Sequence, residues 1–169
     1  MKIRKLKIEN SERGFSLFIS IVVMGALLLV AFAVSNLASK EVSFATFNRD
    51  SQYAFFAADA GIECAIFWDS KASPSAFDPA TPGSPISCNG VSMSTGKLIS
   101  GTTTTMMIGG GGNSKSVFGF LLWGASDQPC VHVIVNKNPS GTTKINAYGY
   151  NNCNQSDPRR VERGVEVNY

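Results

Sequence analysis

The sequence predicts an α+β chain in which one long N-terminal helix, transmembrane in its first half and amphipathic in its second, packs on a small antiparallel β-sheet head. Three observations predict it. No charged residue occurs from Gly14 through Ser39. From Ser39 through Asp69 there is no proline and one glycine, Gly61, so nothing interrupts a helix begun in the apolar run. After Gly90 the composition turns to threonine, valine, isoleucine and glycine, in short runs separated by turn residues.

Residues 1–14, MKIRKLKIENSERG, form a basic leader with five lysines and arginines against two glutamates, while the other 155 residues balance at ten against ten. The net charge of +3 is therefore a flank of the apolar run. No basic stripe with interleaved aromatics follows, and no nucleic-acid contact is evident. Segment 15–39 opens with FSLFISIVVMGALLLVAFAV, in which only Ser16 and Ser20 are polar. A helix of about 20 such residues crosses a hydrocarbon core of about 30 Å. It is apolar all round, unlike the one-sided stripe of a soluble core helix. Basic residues before it and a neutral remainder after it predict a cytoplasmic N-terminus and an external head.

Segment 40–69 continues the helix, with Val42, Ala45, Tyr53, Phe56, Ala60, Cys64 and Phe67 expected on its buried stripe. The helix is expected from about Phe15 to Trp68, roughly 80 Å long. Segment 70–90, with Pro74, Pro79, Pro82 and Pro85, is expected to end it as a surface loop. Segment 91–169 is the sheet. Its expected strands are VSM, KLIS, TTTTMMI, SVFGFLLW, VHVIV, KINAYGY and RRVERGVEVNY, the last with Val161, Val165, Val167 and Tyr169 on one side. An apolar sheet face and an apolar helix stripe bury one another.

The four cysteines, Cys64, Cys88, Cys130 and Cys153, all follow the apolar run, and an even number facing an oxidising compartment reads as two disulfides. Three pairings are open. Cys64–Cys88 with Cys130–Cys153 is preferred, because the first would pin the proline-rich loop to the helix end. The second would tie the start of VHVIV to the loop after KINAYGY, each bond contributing about 3 kcal/mol. No C-x-x-C occurs and His132 is the single histidine, so neither metal nor cofactor is expected. GGGGNSKS, residues 109–116, approaches a phosphate-binding loop, yet Ser114 stands where the second glycine is required and a strand follows, so a flexible hairpin tip is expected. His132 has no acid or nucleophile beside it in sequence, Asn154-Gln155-Ser156 fits a glycosylation sequon but reads as a polar loop, and Trp123 is assigned to the core, with a binding surface as the alternative. No catalytic residue is assigned, and the chain is read as no enzyme.

The order of these parts, with Arg13-Gly14-Phe15-Ser16-Leu17 at the junction, resembles the type IV pilin and pseudopilin superfamily. The resemblance implies cleavage after Gly14 by a prepilin peptidase and N-methylation of Phe15, so that the leader leaves and the apolar helix stays. AADAGIECA, residues 57–65, is similar to the stretch of PilX-like minor pilins where helix meets head. The implied role is a structural subunit of a type IV pilus or type II secretion-like filament. Implied partners are the prepilin peptidase, other pilin or pseudopilin subunits, an inner-membrane assembly platform and the lipid bilayer. The implied location is a single pass through the inner (cytoplasmic) membrane, then a pilus or pseudopilus.

Two positions depart from the family pattern. Shaft-forming members usually carry a glutamate at the fifth mature position, where Ile19 stands here. A carboxylate in lipid persists where it meets a partner, so Ile19 implies a subunit with none above it, as in K-type pseudopilins and PilX-like minor pilins at a filament tip. Asn36 replaces the helix-breaking proline, so no melted segment is expected. The alternative reading is a secreted globular protein, since Ala31-Phe32-Ala33 satisfies the small-x-small pattern for a conventional signal peptide cleaved after Ala33.

Overall fold

The computed structural model describes residues 13–80, 83–110, 112, 114–124, 128–138 and 141–169, with Arg13 and Gly14 described in backbone only. Most of the basic leader, residues 1–12, lies outside the described residues. The expected α+β class holds: one helix, α1 (Arg13–Lys71, 59 residues), precedes six strands, β1 (Ile86–Cys88), β2 (Val91–Met93), β3 (Lys115–Leu121), β4 (Cys130–Lys137), β5 (Thr143–Tyr150) and β6 (Glu162–Asn168). The chain divides into two compact units, residues 1–45 and 46–169.

In the first unit every side chain from Phe15 to Ala45 is exposed. Three hydroxyls on this surface are satisfied by the helix itself. Ser20 donates to the Leu17 carbonyl at 2.8 Å, Ser35 to Ala31 at 2.9 Å and Ser39 to Ser35 at 3.0 Å. Such back-bonding removes the penalty a free hydroxyl would carry in hydrocarbon. By length and composition α1 is capable of crossing a membrane. At its other end the helix stops at Lys71, three residues before Pro74, whose ring cannot continue it. Lys71 in the last turn complements the unpaired carbonyls.

In the second unit β3, β4, β5 and β6 form an antiparallel meander in that order. Strand alternation sends Phe118 and Phe120 of β3, Val131, Val133 and Val135 of β4, and Ile145 and Ala147 of β5 to one face, where all are buried. The helix packs on that face chiefly through small residues: Ala54, Ala57, Ala58, Gly61 and Ala65 are buried, and so is Ile62. This corrects the expected stripe. Tyr53, Phe56 and Phe67, assigned inward from their helical spacing, are exposed, and Ala60 and Cys64 lie half-buried at the flank. The physical reason is contact distance. A Cβ on Gly61 would stand 2.6 Å from Val131 Cγ2 and 2.8 Å from Val133 Cγ2, and one on Gly149 would overlap the Ala54 carbonyl oxygen and the Ala58 amide nitrogen. Backbones this close leave no room for an aromatic ring.

The proline-rich segment also departs from expectation, because it is not simply a surface loop. Phe77 is fully buried and stacks on Phe118 with ring centroids 5.7 Å apart. Ile86–Cys88, placed in that loop from its prolines, pairs with Val91–Met93 as a two-stranded hairpin. The signal was Asn89-Gly90, whose positive φ values of 50° and 74° are those a two-residue hairpin turn demands. Conversely, KLIS and TTTTMMI form single bridges, Leu98 to Thr105 and Met107 to Val117, and no ladder. Glycines at positive φ, Gly96 and Gly101, bend this stretch so that Ile99, Met106 and Ile108 turn inward as irregular cover. The remaining four expected strands match β3 to β6 within a few residues.

The close helix approach makes a test. Gly149→Ala should destabilise the head by about 1–3 kcal/mol through overpacking, whereas Gly164→Ala, whose added Cβ meets only the Tyr148 ring at 3.7 Å, should be nearly neutral. Urea unfolding of the two variants in detergent checks this.

Candidate functional site

Gly14 and Phe15 lie in the first turn of α1, so the junction between leader and apolar run is already helical. Phe15 is exposed, and Ile19, one turn on, is 45 % exposed. No neighbouring side chain covers either of them within the described residues of the first unit. From here the exposed apolar surface runs along the helix through Phe44.

A second apolar surface belongs to the head. With alanines and glycine turned to the sheet, Phe55, Phe56, Ile66 and Phe67 are left outside. Phe55 and Phe56 meet edge to face at 6.2 Å, Phe67 and Trp68 at 5.6 Å, and the Lys71 ammonium lies 5.9 Å from the Phe67 ring centre. Large exposed apolar patches of this kind mark surfaces that meet protein or membrane.

The helix is fixed beneath this surface by polar contacts near each end of its packed stretch. Arg163 Nε of β6 donates to Ser51 Oγ at 2.8 Å. At the far end Asp69, its side chain only 5 % exposed, receives Lys137 Nζ at 2.7 Å and Tyr169 Oη at 2.8 Å. It also accepts from the hydroxyls of Ser75 and Thr143. Burial opposes ionisation of Asp69, but the Lys137 ammonium with the Ser75 and Tyr169 hydroxyls outweighs it, so the carboxyl stays below the usual aspartate range. The Tyr169 phenol is pushed upward by burial and by the same carboxylate. This clasp was missed in the sequence, where Asp69 reads as one more polar residue of an amphipathic helix. A carboxylate six residues before Ser75 gives no hint that strands β4, β5 and the final tyrosine converge on it.

The four cysteines form Cys64–Cys88 and Cys130–Cys153, with Cα atoms 5.9 and 5.7 Å apart, the preferred pairing of the three. The first ties α1 to β1, beside a 3.0 Å hydrogen bond from Trp68 Nε1 to the Ser87 carbonyl. The second ties β4 to the loop after β5.

The remaining singled-out residues fall as follows. The glycine run around Gly109 lies within the Met107–Val117 hairpin, but its described part is not a free tip: Gly109 and Gly110 are buried. Gly110 donates to the Asp78 carbonyl at 3.1 Å, Gly112 to Pro79 at 3.1 Å, and Gly109 to Ser116 Oγ at 2.9 Å. These amides, which a phosphate would need, are spent, those of Gly110 and Gly112 on the proline-rich segment and that of Gly109 on β3. Gly111 and Asn113 of the same motif lie outside the described residues. His132 Nε2 is buried and bonds to none of the described residues. Burial, then Lys115, lowers its pKa against the pull of Glu162. Asn154 lies in an exposed polar loop, its Oδ1 accepting from Ser156 N at 3.0 Å. Trp123, assigned to the core, is 61 % exposed, the core aromatic places being taken by Phe118 and Phe120. Among the described residues no three His, Cys, Asp or Glu side chains are placed to hold a metal ion.

Comparison with protein-family models, curated proteins and solved structures finds no match for this chain.

The clasp predicts a pH dependence. Asp69 has a lower pKa folded than unfolded, so its contribution is complete above about pH 4 and is lost as pH falls through that value toward the folded pKa. Asp69→Asn should cost about 1.5–3 kcal/mol at neutral pH, the range for hydrogen bonds to a charged group. It should also flatten the fall in stability that urea unfolding of the unmodified chain is expected to show below about pH 4.

Proposed function

We propose that this chain is a minor pilin-like or pseudopilin-like structural subunit of a type IV pilus or type II secretion-like filament, held in the inner membrane before assembly. One observation carries the reading. A single uninterrupted helix, Arg13–Lys71, is apolar and wholly exposed over its first half, and over its second half it docks through alanine and glycine on a disulfide-tied sheet. A helix of this kind has two environments to satisfy. The first half is satisfied by lipid. The second keeps its aromatics outward at Phe55, Phe56 and Phe67, where neighbouring subunits would cover them.

Mechanism follows from that division. Prepilin peptidase removes the leader after Gly14 and Phe15 is methylated, so the basic charges leave while the apolar helix stays. On extraction by the assembly platform, helix packing against neighbours replaces helix packing against lipid. The exchange of one apolar surrounding for another is nearly balanced in hydrophobic free energy, so packing detail decides it. Ile19 supports a position at the tip. A subunit with another above it gains from a carboxylate paired with the N-terminal amine of that subunit, and Ile19 offers none.

The mature N-terminal peptide tests the class. Its mass should correspond to a start at N-methylated Phe15, and Gly14→Val should retain the leader, because a β-branched side chain replaces the small residue at the cut. A start at Val34 would establish the secreted alternative and overturn the filament reading. Position is tested by Ile19→Glu, which places an acid without an amine partner in hydrocarbon at a cost of about 2.5–3.5 kcal/mol. That variant should be less abundant and assemble no better than the unmodified chain. Better assembly, or even immuno-labelling along whole filaments, would assign the subunit to the shaft.

A further inference from the structure

Two clefts of the head meet at one residue. A cleft of about 240 Å³ is walled by Tyr53, Trp123, Arg49, Asp50, Asp157 and Arg159. Another, of about 280 Å³, is walled by Trp123 again with Glu63, Asn89, Leu122 and the Cys64–Cys88 disulfide. Both lie just under the roughly 300–1,000 Å³ of sites for drug-sized ligands, which suits one small ring apiece. The indole they share is exposed, and Tyr53 props it edge to face, with centroids 6.1 Å apart and planes at 86°. An aromatic held this way presents a flat, electron-rich face to solvent.

The charges around it select the ligand class. Two guanidiniums line the first cleft, each paired with a carboxylate, Arg49 with Asp50 at 3.4 Å and Arg159 with Asp157 at 3.8 Å. A nucleic-acid strand would bring its phosphates against both carboxylates, and a basic peptide would bring its ammonium groups against both guanidiniums. A neutral polyhydroxylated ring meets neither conflict. Each hydroxyl both donates and accepts, so aspartate can take its proton while arginine donates to its oxygen. The C–H face of the ring carries partial positive charge and lies on the indole.

The wall is also built in advance. Asp157 accepts from the Arg159 backbone amide at 2.8 Å and from Asn152 Nδ2 at 2.8 Å. Asn151 Oδ1 accepts from Val161 N at 2.7 Å, and Cys153 N donates to the Gln128 carbonyl at 3.2 Å. The Cys130–Cys153 bond holds the loop's start on β4. A loop so fixed gives up little freedom when a ligand enters. We propose that Trp123 and its two clefts form a carbohydrate-binding site for a neutral glycan, two successive sugar rings occupying the two clefts with Trp123 between them.

The test uses the full chain in a zwitterionic detergent without a sugar headgroup. It is applied to a glycan array carrying neutral, sialylated and sulfated oligosaccharides, with single-stranded oligothymidylate as a parallel probe. At least one neutral oligosaccharide should bind with Kd tighter than about 1 mM, and tryptophan fluorescence should shift on titration. Trp123→Ala should weaken that binding about tenfold or more, with its urea unfolding midpoint unchanged because the side chain is exposed. Arg159→Gln, also at an exposed position, should weaken it to a smaller extent. Absence of any neutral ligand, binding confined to sulfated or sialylated glycans or to oligothymidylate, or unaltered affinity in Trp123→Ala would each overturn the proposal.

Discussion

The head rests on the near contact of two backbones. Where α1 crosses β5, Gly149 lies against the carbonyl of Ala54 and the amide of Ala58, and Gly61 lies against Val131 and Val133. No ordinary side chain fits between them. A helix brought this close must turn its smallest residues inward, and α1 does so with Ala54, Ala57, Ala58, Gly61 and Ala65. The large residues of the same segment then have one direction left. The outward aromatics, the clefts beside Tyr53 and the flank position of Cys64 all follow from that geometric demand. Dispersion contributes to it, since many atom pairs come into range when ridges are flattened in this way.

Close packing by small residues is strong in contact but weak in orientation, because alanines have no side-chain shape to interlock. Polar contacts supply orientation here. Arg163 on Ser51 and the convergence of Lys137, Ser75, Thr143 and Tyr169 on Asp69 fix the helix near both ends of its packed stretch. Phe77, brought in by the proline-rich segment, closes the core against Phe118.

Much of this was legible in the sequence. Charge distribution and the absence of proline marked the helix to within a few residues, because helix breaking is a local property. Composition between turn residues marked β4 and β5, and alternation marked β6, for the same reason. The buried face of α1 was misread because the spacing of apolar residues was taken as a guide to burial, whereas Gly61 and Gly149, some ninety residues apart, jointly set the contact distance, and no local pattern records that. The hairpin at Asn89-Gly90 was written in the sequence and was masked by four nearby prolines. The Asp69 clasp gathers residues from positions 69, 75, 137, 143 and 169, so it exists only once the sheet is registered.

The disulfides join cysteines in the order in which they occur, first with second and third with fourth, each bond closing a separation of 24 or 23 residues. Neither ring encloses or crosses the other. A chain that enters an oxidising space from its N-terminal side offers Cys64 a single partner, Cys88, before the second pair has emerged. Native pairing then coincides with order of arrival, and the first bond is complete before a wrong choice exists. Such a head can be oxidised by a simple disulfide donor, itself reduced to the dithiol, without passing through a scrambled set that an isomerase must sort.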